Sequence, residues 1–163
     1  MEKMYTILET EWGYMLAAWT DMGLWELDFP LQDRPNKPES HNSSEVEFWS
    51  EELRKELSMY WRGFAVQFGV PIDWRGYTPF QANVLKYTAT IPYGQKSTYG
   101  EVAEAVGVPK GARAAGGALN RNRVPIVIPC HRVVGAKGSL TGFSGGLELK
   151  QALLLLEKGT VSE

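Results

Sequence analysis

The residues with the most chemical potential stand together near the C-terminal end, where Cys130, His131 and Arg132 follow Pro129. Cys130 is the only cysteine of the chain, and His131 is one of two histidines. A thiol becomes a strong nucleophile as the thiolate, and a neighbouring base or positive charge lowers the thiol pKa. The spacing therefore allows nucleophilic chemistry at Cys130, with a lowered thiol pKa as its expected sign.

A structural role for Cys130 is the alternative. A single buried cysteine is most often a small hydrophobic side chain. The Val and Ile residues on both sides of Cys130 are typical of a buried, β-branched extended segment. Because neighbouring residues of such a segment point to opposite faces, contact between Cys130 and His131 would need a water molecule or a local turn. The residue types by themselves leave both interpretations open.

Composition and charge bound the possibilities. A chain of 163 residues that is 44% hydrophobic supports one domain, or two small ones sharing a core. The net charge of −2 divides unevenly, because residues 1–77 hold 7 basic and 14 acidic residues and residues 78–163 hold 10 and 5. The basic second half indicates an anionic partner, although the halves of a short chain also differ by chance.

Several classes of protein are excluded by what the sequence lacks. One cysteine cannot form an intramolecular disulfide or a cysteine-based zinc cluster, so we expect no metal. There is no signal-peptide pattern and no apolar run long enough to span a bilayer. We therefore expect a soluble, cytoplasmic protein in a reducing compartment, with no membrane partner.

The first half predicts an α/β scaffold. Antiparallel strands are predicted over residues 4–8, 13–20 and 23–29, followed by a loop over 31–43. A helix then begins with a capping box of Ser44 and Glu47 and ends at Gly63, and residues 64–70 form a further short strand. Because nothing in this half indicates chemistry, residues 1–73 are predicted to be a scaffold domain packed on the second half.

The second half, residues 78–163, is predicted to be mostly helical. Helix starts stand at Thr78 and Thr98, each with a capping-box partner three residues later. Gly107 ends the second of these helices, and a further helix over residues 109–120 completes a helix-turn-helix. The fold class is therefore α/β (α+β): a small N-terminal antiparallel β-sheet with a helix, and a mostly helical C-terminal domain with a helix-turn-helix.

The last predicted helix of that pair is rich in Gly and Ala, and Arg113 is the large charged side chain of residues 111–120. Each glycine costs about 1 kcal/mol of helix stability relative to alanine, which suits a place where another molecule approaches the backbone. Tight helix packing with a solvated Arg113 would explain the pattern as well. The functional interpretation is a helix laid on a nucleic-acid groove, with Arg113 reaching in and Arg121 and Arg123 near the phosphates. Such binding would depend on shape more than on base sequence.

A glycine-rich loop over residues 135–146 leads into a predicted helix over residues 147–158. The loop could wrap a ligand with backbone N–H groups, but it does not match a phosphate-binding P-loop. Leu149, Leu153 and Leu156 are predicted to face the core. Glu157, near the end of this helix, is either a surface carboxylate or a group that orients His131.

The pentapeptide Pro129-Cys130-His131-Arg132-Val133 does not stand alone. The other motifs are Thr98-Tyr99-Gly100, Ala112-Arg113-Ala114-Ala115-Gly116-Gly117-Ala118, Asn122, Val124-Pro125-Ile126 and Ser144-Gly145-Gly146-Leu147. In type, order and spacing, these motifs resemble those of the O6-alkylguanine-DNA alkyltransferase family. The resemblance covers residues 78–158 closely and the first half only in its strand-then-helix outline.

The resemblance implies a chemistry for this chain. An alkyl group would pass from O6 of a flipped guanine in duplex DNA to Cys130, once per molecule. His131 would act through a water as the base, oriented by Glu157, and Asn122 would bridge the turn and hold the site together. No cofactor is implied, and the zinc site of some members is absent because the N-terminal half has no cysteine and only His41. Whether O4-alkylthymine is also a substrate stays open.

The resemblance also implies binding roles on a monomer whose partner is duplex DNA carrying alkylated bases. Arg113 would enter the stack in place of the target base. Tyr99 would press on the 3′ phosphate and donate to guanine N3, while the N–H of Ser144 would donate to O6. The carbonyls of Cys130 and Val133 would accept from the guanine amino group. Further residues predicted to bind substrate or DNA are Lys150, Ala112, Gly116, Gly117, Arg121 and Arg123.

Two other functions stay open. A DNA-binding regulator would use Cys130 as an oxidation sensor, and it would need base-reading side chains, of which the helix offers few. A cysteine hydrolase would use Cys130, His131 and Glu157 to turn over an ester or a peptide. Footprinting of a preferred sequence would favour the regulator. Stoichiometric loss of the thiol would exclude the hydrolase.

Overall fold

The computed structural model describes residues 2–40, 43–143 and 145–159. Its contacts divide the chain into two compact units, Met1–Arg75 and Gly76–Glu163. The described residues form a mixed α/β structure with a three-stranded antiparallel sheet and five α-helices. This architecture confirms the predicted α+β class.

The first unit is an antiparallel sheet with one helix on it. Strands β1 (Met4–Thr10), β2 (Gly13–Thr20) and β3 (Gly23–Leu27) lie in the order β1-β2-β3, and helix α1 (Ser44–Trp61) packs against β1 and β2. Trp19 on β2 and Leu53 and Leu57 on α1 are fully buried, so the apolar stripe of the helix covers the apolar face of the sheet. These elements confirm the strand-then-helix outline of the first half.

Several boundaries in this unit differ from the sequence expectation. The N-cap of α1 is Ser43, whose hydroxyl accepts from the N–H of Val46 at 3.3 Å, so the predicted capping box at Ser44 is wrong by one residue. Leu27 rather than residue 29 ends β3. Residues 41 and 42 of the predicted loop lie outside the described residues.

The strand predicted over residues 64–70 is wrong. This segment has no strand partner among the residues that the structure describes, and the N–H of Gly69 donates to the Glu56 carboxylate at 3.1 Å instead. The segment that does reach the sheet lies further along, where Ile72 forms a single parallel bridge with Leu24 of β3. An apolar segment becomes a strand only where a sheet edge is free to pair with it. Here Ile72 occupies the edge beside β3, so residues 64–70 do not pair there.

The second unit carries the other four helices. They are α2 (Pro79–Thr88), α3 (Tyr99–Ala105), α4 (Ala112–Leu119) and α5 (Leu147–Gly159). Thr78 caps α2 and Thr98 caps α3, each in a complete capping box, as the sequence predicts. Helices α3 and α4 follow each other in the chain and pack against each other, as a helix-turn-helix requires.

Helix α4 is shorter than predicted. It begins at Ala112 rather than at residue 109, because Gly111 is its N-cap and the Gly111 N–H donates to the carbonyl of Val108 at 2.8 Å. A Cβ at Gly111 would lie 2.6 Å from the Val108 side chain. The turn between α3 and α4 is therefore closed tightly enough to require glycine at this position.

The segment around Cys130 is a turn rather than an extended strand. Residues Cys130–Arg132 form one 3₁₀ turn, closed by a hydrogen bond from the Arg132 N–H to the Pro129 carbonyl at 2.9 Å. Strand β5 (Val133–Val134) follows and pairs in parallel with β4 (Ser97–Thr98), which directly precedes α3. This two-stranded sheet was not predicted, and it brings the Cys130 turn beside the start of the helix-turn-helix.

None of the helices within the described ranges combines the length and the apolar character needed to cross a membrane.

Candidate active site

Cys130 lies at a cavity of about 520 Å³ in the second unit. Its side chain is mostly covered, with 9% of the residue exposed. The lining comes from α3, α4, the Cys130 turn and the glycine-rich loop: Tyr99, Ala112, Arg113, Gly116, Gly117, Leu119, Asn120, Cys130, Thr141, Gly142 and Phe143. The fold thus brings the predicted nucleophile and the predicted DNA-binding helix to one opening.

Helix α4 presents a nearly bare face to this cavity. Its buried side carries Ala115, Ala118 and Leu119, whereas Arg113 is exposed at the opening. A Cβ added at Gly117 would meet no atom of the described residues within 4 Å. A large partner can therefore approach the backbone of α4 closely, with Arg113 as the charged side chain that meets it.

Two other predicted DNA-binding residues lie away from the cavity lining. Arg121 is exposed just after α4. The guanidinium of Arg123 stacks 4.0 Å from the ring centre of Tyr77. The backbone N–H of Arg123 donates to the hydroxyl of the same tyrosine at 3.0 Å. Stacking of this kind orients a guanidinium without neutralising its charge.

Directly after Cys130 in the same turn, His131 and Arg132 share one buried carboxylate, that of Glu157. Nε2 of His131 lies 2.6 Å from Oε2 of Glu157. Arg132 donates through Nε to Oε1 at 2.9 Å and through Nη2 to Oε2 at 3.0 Å. His131 and Glu157 are almost completely buried, at 0% and 1% exposure. Glu157 is therefore not the surface carboxylate that its place in the sequence allows.

The pKa values of this cluster define its proton arrangement. Burial by itself raises the pKa of Glu157, but the hydrogen bonds from His131 and Arg132 outweigh it and bring the pKa to about 2. An ionised carboxylate only accepts, so Nε2 of His131 carries the proton it shares with Glu157. Burial lowers the pKa of His131 against the opposing effect of Glu157, so the imidazole is neutral at pH 7 and its Nδ1 is a base.

The thiol pKa differs from the sequence expectation. Burial raises the pKa of Cys130, and the hydrogen bond from Asn122 and the charge of Lys150 only partly oppose it. The expected lowering of the thiol pKa is therefore wrong for the protein without a ligand, because desolvation of the thiolate outweighs the favourable neighbours. Without a ligand, the turn therefore carries a neutral thiol next to a neutral imidazole.

Asn122 ties the turn before Cys130 together. Its Nδ2 donates to the Ile128 carbonyl at 2.9 Å, and its Oδ1 accepts from the Val124 N–H at 3.0 Å. Between these two anchors, Ile126 adopts a left-handed backbone conformation with φ of 75°, which is unfavourable for a β-branched residue. The Asn122 side chain thus stabilises a strained turn that ends directly before the Pro129-Cys130 dipeptide.

Tyr99 and Lys150 meet at the carbonyl of Thr141 on the other side of the cavity. The Tyr99 hydroxyl donates to this carbonyl at 2.8 Å, and Lys150 Nζ donates to it at 2.9 Å and to Tyr99 Oη at 3.4 Å. Burial lowers the pKa of Lys150, while the neighbouring Cys130 raises it. Val133 is buried on β5, and Ser144 lies outside the described residues.

Comparison with known proteins gives one family throughout. The family described as "6-O-methylguanine DNA methyltransferase, DNA binding domain" matches residues 79–159. A methylated-DNA–protein-cysteine methyltransferase of Methanosarcina acetivorans is 42% identical over 154 residues, which are 94% of this chain and 97% of that protein. The chain belongs to the methylated-DNA–protein-cysteine methyltransferase family.

Other members of this family agree in sequence and in fold. A methylated-DNA–protein-cysteine methyltransferase of Mycobacterium bovis is 50% identical over 103 residues, so the chain spans 62% of the length of that relative. The crystal structure of Mycobacterium tuberculosis OGT in complex with DNA has a TM-score of 0.79 and 37% sequence identity, with 95% of this chain and 92% of that chain covered. The similarity therefore extends over both units of this methyltransferase-family chain.

Some residues at the site of this family member were not singled out from its sequence. Thr141 contributes a backbone carbonyl, for which a sequence carries no signal. The place of Arg132 directly after His131 marked it as part of the motif, but its bond to Glu157 depends on α5. Lys150 and Glu157 lie with Leu153 on the buried side of α5, whereas Leu149 and Leu156 are only half-buried. The predicted leucine core of α5 is thus wrong in part.

No group of three or more metal-binding side chains occurs in the portion of the chain that the structure describes.

Proposed function

We propose that this protein repairs DNA by direct transfer of the alkyl group from O6-alkylguanine in duplex DNA to Cys130. The observation that carries the proposal is that Cys130 and α4 line one cavity, while His131, the next residue of the same turn, is paired with the buried Glu157. A nucleophile, a base and a group that orients the base are the parts needed for covalent transfer. O4-alkylthymine is a second candidate substrate.

The reaction begins as the Cys130 thiol gives its proton, through a water, to Nδ1 of neutral His131. The sulfur then attacks the alkyl carbon in line, the S–C bond forms and the C–O6 bond breaks with its electron pair going to the base. Glu157 stabilises the imidazolium that results, because the carboxylate is ionised and 2.6 Å away. The released base takes up one proton from solvent, which restores guanine, and the imidazolium returns the thiol proton to solvent. The thioether is not hydrolysed under mild conditions, so each molecule reacts once.

Access to the lesion explains the second part of the site. The alkyl carbon lies inside a duplex, so the base must be flipped out, at a cost of a few kcal/mol. In this proposal α4 lies on the DNA, with Ala112, Gly116 and Gly117 allowing close approach, and Arg113 fills the gap left by the base. Arg121 and Arg123 contribute positive charge toward the phosphates.

The residues around Thr141 would hold the flipped base. Tyr99 would exchange its hydrogen bond to the Thr141 carbonyl for one to guanine N3, with Lys150 beside its hydroxyl. The Val133 and Cys130 carbonyls and the Ser144 N–H remain the predicted contacts to the amino group and O6. Residues 1–73 act as a scaffold domain and residues 78–163 as the DNA-binding and transfer domain. Monomeric state and cytoplasmic location stay predictions from the sequence.

The first test is the intact mass of the purified protein after incubation with duplex DNA carrying one O6-methylguanine. We expect a gain of one methyl group per chain, mapped to the Cys130 peptide, with no further gain in excess DNA. Binding without any gain in mass would identify a lesion-recognition protein instead. If the protein neither binds this DNA nor gains mass, the DNA-binding regulator and the cysteine hydrolase become the candidate functions.

Arg113→Ala is expected to slow methyl transfer from duplex DNA by about tenfold or more, because Arg113 stabilises the flipped state. Transfer from the same lesion in a single strand should change much less, since no base pair has to open. Single-turnover rates on both substrates measure the difference. Arg62→Ala, at an exposed arginine of the first unit, is the matched control. Equal losses on the duplex and the single strand would contradict this role.

A further inference from the structure

Arg132 is a buried cation to which the transfer chemistry gives no role. Only 5% of the residue is exposed. All three guanidinium nitrogens are used, because Nε and Nη2 bind Glu157 and Nη1 donates to the Ile91 carbonyl at 2.7 Å. Hydrogen bonds from all three nitrogens fix a buried guanidinium in one geometry. Arg132 directly follows His131, the proposed base.

We propose that Arg132 is a positioning residue that shares Glu157 with His131, and thereby keeps His131 neutral and oriented to take the Cys130 proton. This inference rests on the proposed alkyl transfer and adds to it a second cation on the carboxylate. Arg132 contacts neither the Cys130 proton nor the substrate. It acts only through Glu157 and through its charge.

Geometry gives the first argument. Oε1 of Glu157 accepts from Arg132 Nε and from the Gly94 N–H at 3.0 Å, while Oε2 accepts from Arg132 Nη2 and His131 Nε2. Each carboxylate oxygen thus receives two hydrogen bonds, which uses its acceptor capacity fully. The two-point contact with Arg132 fixes the plane of the carboxylate, and that plane determines where the His131 ring stands.

Charge gives the second argument. A buried imidazole beside a lone carboxylate is favoured in its protonated form, which cannot accept the thiol proton. Arg132 places a positive charge on the same carboxylate and so opposes protonation of His131. The pKa of His131 is lowered first by burial and then by the charges of Arg132 and Lys150, against the raising effect of Glu157. Removing the Arg132 charge therefore raises the pKa of His131.

The charged groups around His131 are few among the residues that the structure describes. Its own turn contributes Arg132, and α5 contributes Glu157 and Lys150. Helix α2 also packs against the turn, but its one charged residue, Lys86, is exposed. Because Lys150 stays in place when Arg132 is changed, a variant at Arg132 isolates the effect of the shared cation.

The test compares Arg132→Met, which removes the charge, with Arg132→Lys, which keeps the charge and loses the two-point contact. Single-turnover methyl transfer is measured from pH 5 to 9. For Arg132→Met we expect the acidic limb of the rate profile to move up by about one pH unit, a tenfold loss on that limb. For Arg132→Lys we expect the wild-type limb with a rate lowered equally at every pH. Arg62→Met is the matched control.

A second readout follows His131 directly by NMR titration, in a His41→Gln background that leaves one histidine. Its midpoint should rise in Arg132→Met and stay near the wild-type value in Arg132→Lys. An unchanged midpoint and limb in Arg132→Met would overturn the inference, because a purely structural role lowers the rate equally at all pH values. If Arg132→Met does not fold, Arg132→Gln, which also removes the charge, takes its place: a raised His131 midpoint supports the inference and an unchanged midpoint overturns it. If the wild type transfers no methyl group, the proposed function fails while the titration still decides the role of Arg132.

Discussion

Cys130→Ala is expected to abolish methyl transfer completely and to leave binding to methylated duplex DNA within about twofold of wild type. The reaction forms an S–C bond, and no other cysteine exists to replace the nucleophile. The side chain is small and mostly buried, and a cavity of one sulfur atom costs about 1–2 kcal/mol of stability. The measurements are the intact mass after incubation with O6-methylguanine DNA and a fluorescence titration of binding.

Cys130→Ser separates the nucleophile from the shape of the site. The hydroxyl nearly preserves the side-chain size, so the turn held by Asn122 should persist. A neutral imidazole activates an alcohol much less than it activates a thiol. This variant should therefore also gain no methyl group. Methyl transfer in either variant, mapped to another residue, would contradict the assignment of Cys130 as the acceptor.

Glu157→Gln is expected to lower both stability and rate. Arg132 would remain buried with no negative partner, and breaking a buried ion pair from one side costs about 3–5 kcal/mol. The imidazolium formed during transfer would lose its counter-charge, and general-base assistance is worth about 10²–10⁴ in rate. We therefore expect the free energy of unfolding to fall by several kcal/mol, and transfer to slow by about a hundredfold or more.

Urea unfolding measures the loss of stability in Glu157→Gln. Single-turnover transfer, at a temperature where the variant is folded, measures the loss of rate separately. Glu148→Gln is the matched control, because Glu148 is exposed in the first turn of the same helix. Its expected cost is below about 1 kcal/mol, the usual size of a charge effect at a helix N-terminus. A stable Glu157→Gln variant with an unchanged rate would show that neither the ion pair nor the orientation of His131 matters for transfer.

The fold divides into features that are local in sequence and features that are not. The capping boxes at Thr78 and Thr98 were predicted correctly because both partners lie within four residues. The second strand of the sheet, Gly13–Thr20, was likewise predicted at its observed bounds, since its turns are marked by glycine. The strand predicted at 64–70 failed because pairing needs a free edge, and no local pattern reports where an edge is free.

The site divides in the same way. The sequence by itself predicted Cys130 as the nucleophile, since a single cysteine followed by histidine and arginine limits the chemistry, and the spaced motifs indicated the family. Only the tertiary structure decided that Cys130–Arg132 is a turn, that β4 and β5 bring this turn to α3, and that Glu157 is buried.

The tertiary structure also decided the direction of the thiol pKa. The motif predicts a lowered value, because it shows the neighbouring charges but not the burial that outweighs them. The groups that control the cluster come from distant parts of the chain, since Arg132 bonds to Ile91, 41 residues away, and to Glu157, 25 residues away. Desolvation and ion pairing depend on which residues pack together in space. Here the packing of α2 and α5 against the Cys130 turn determines both.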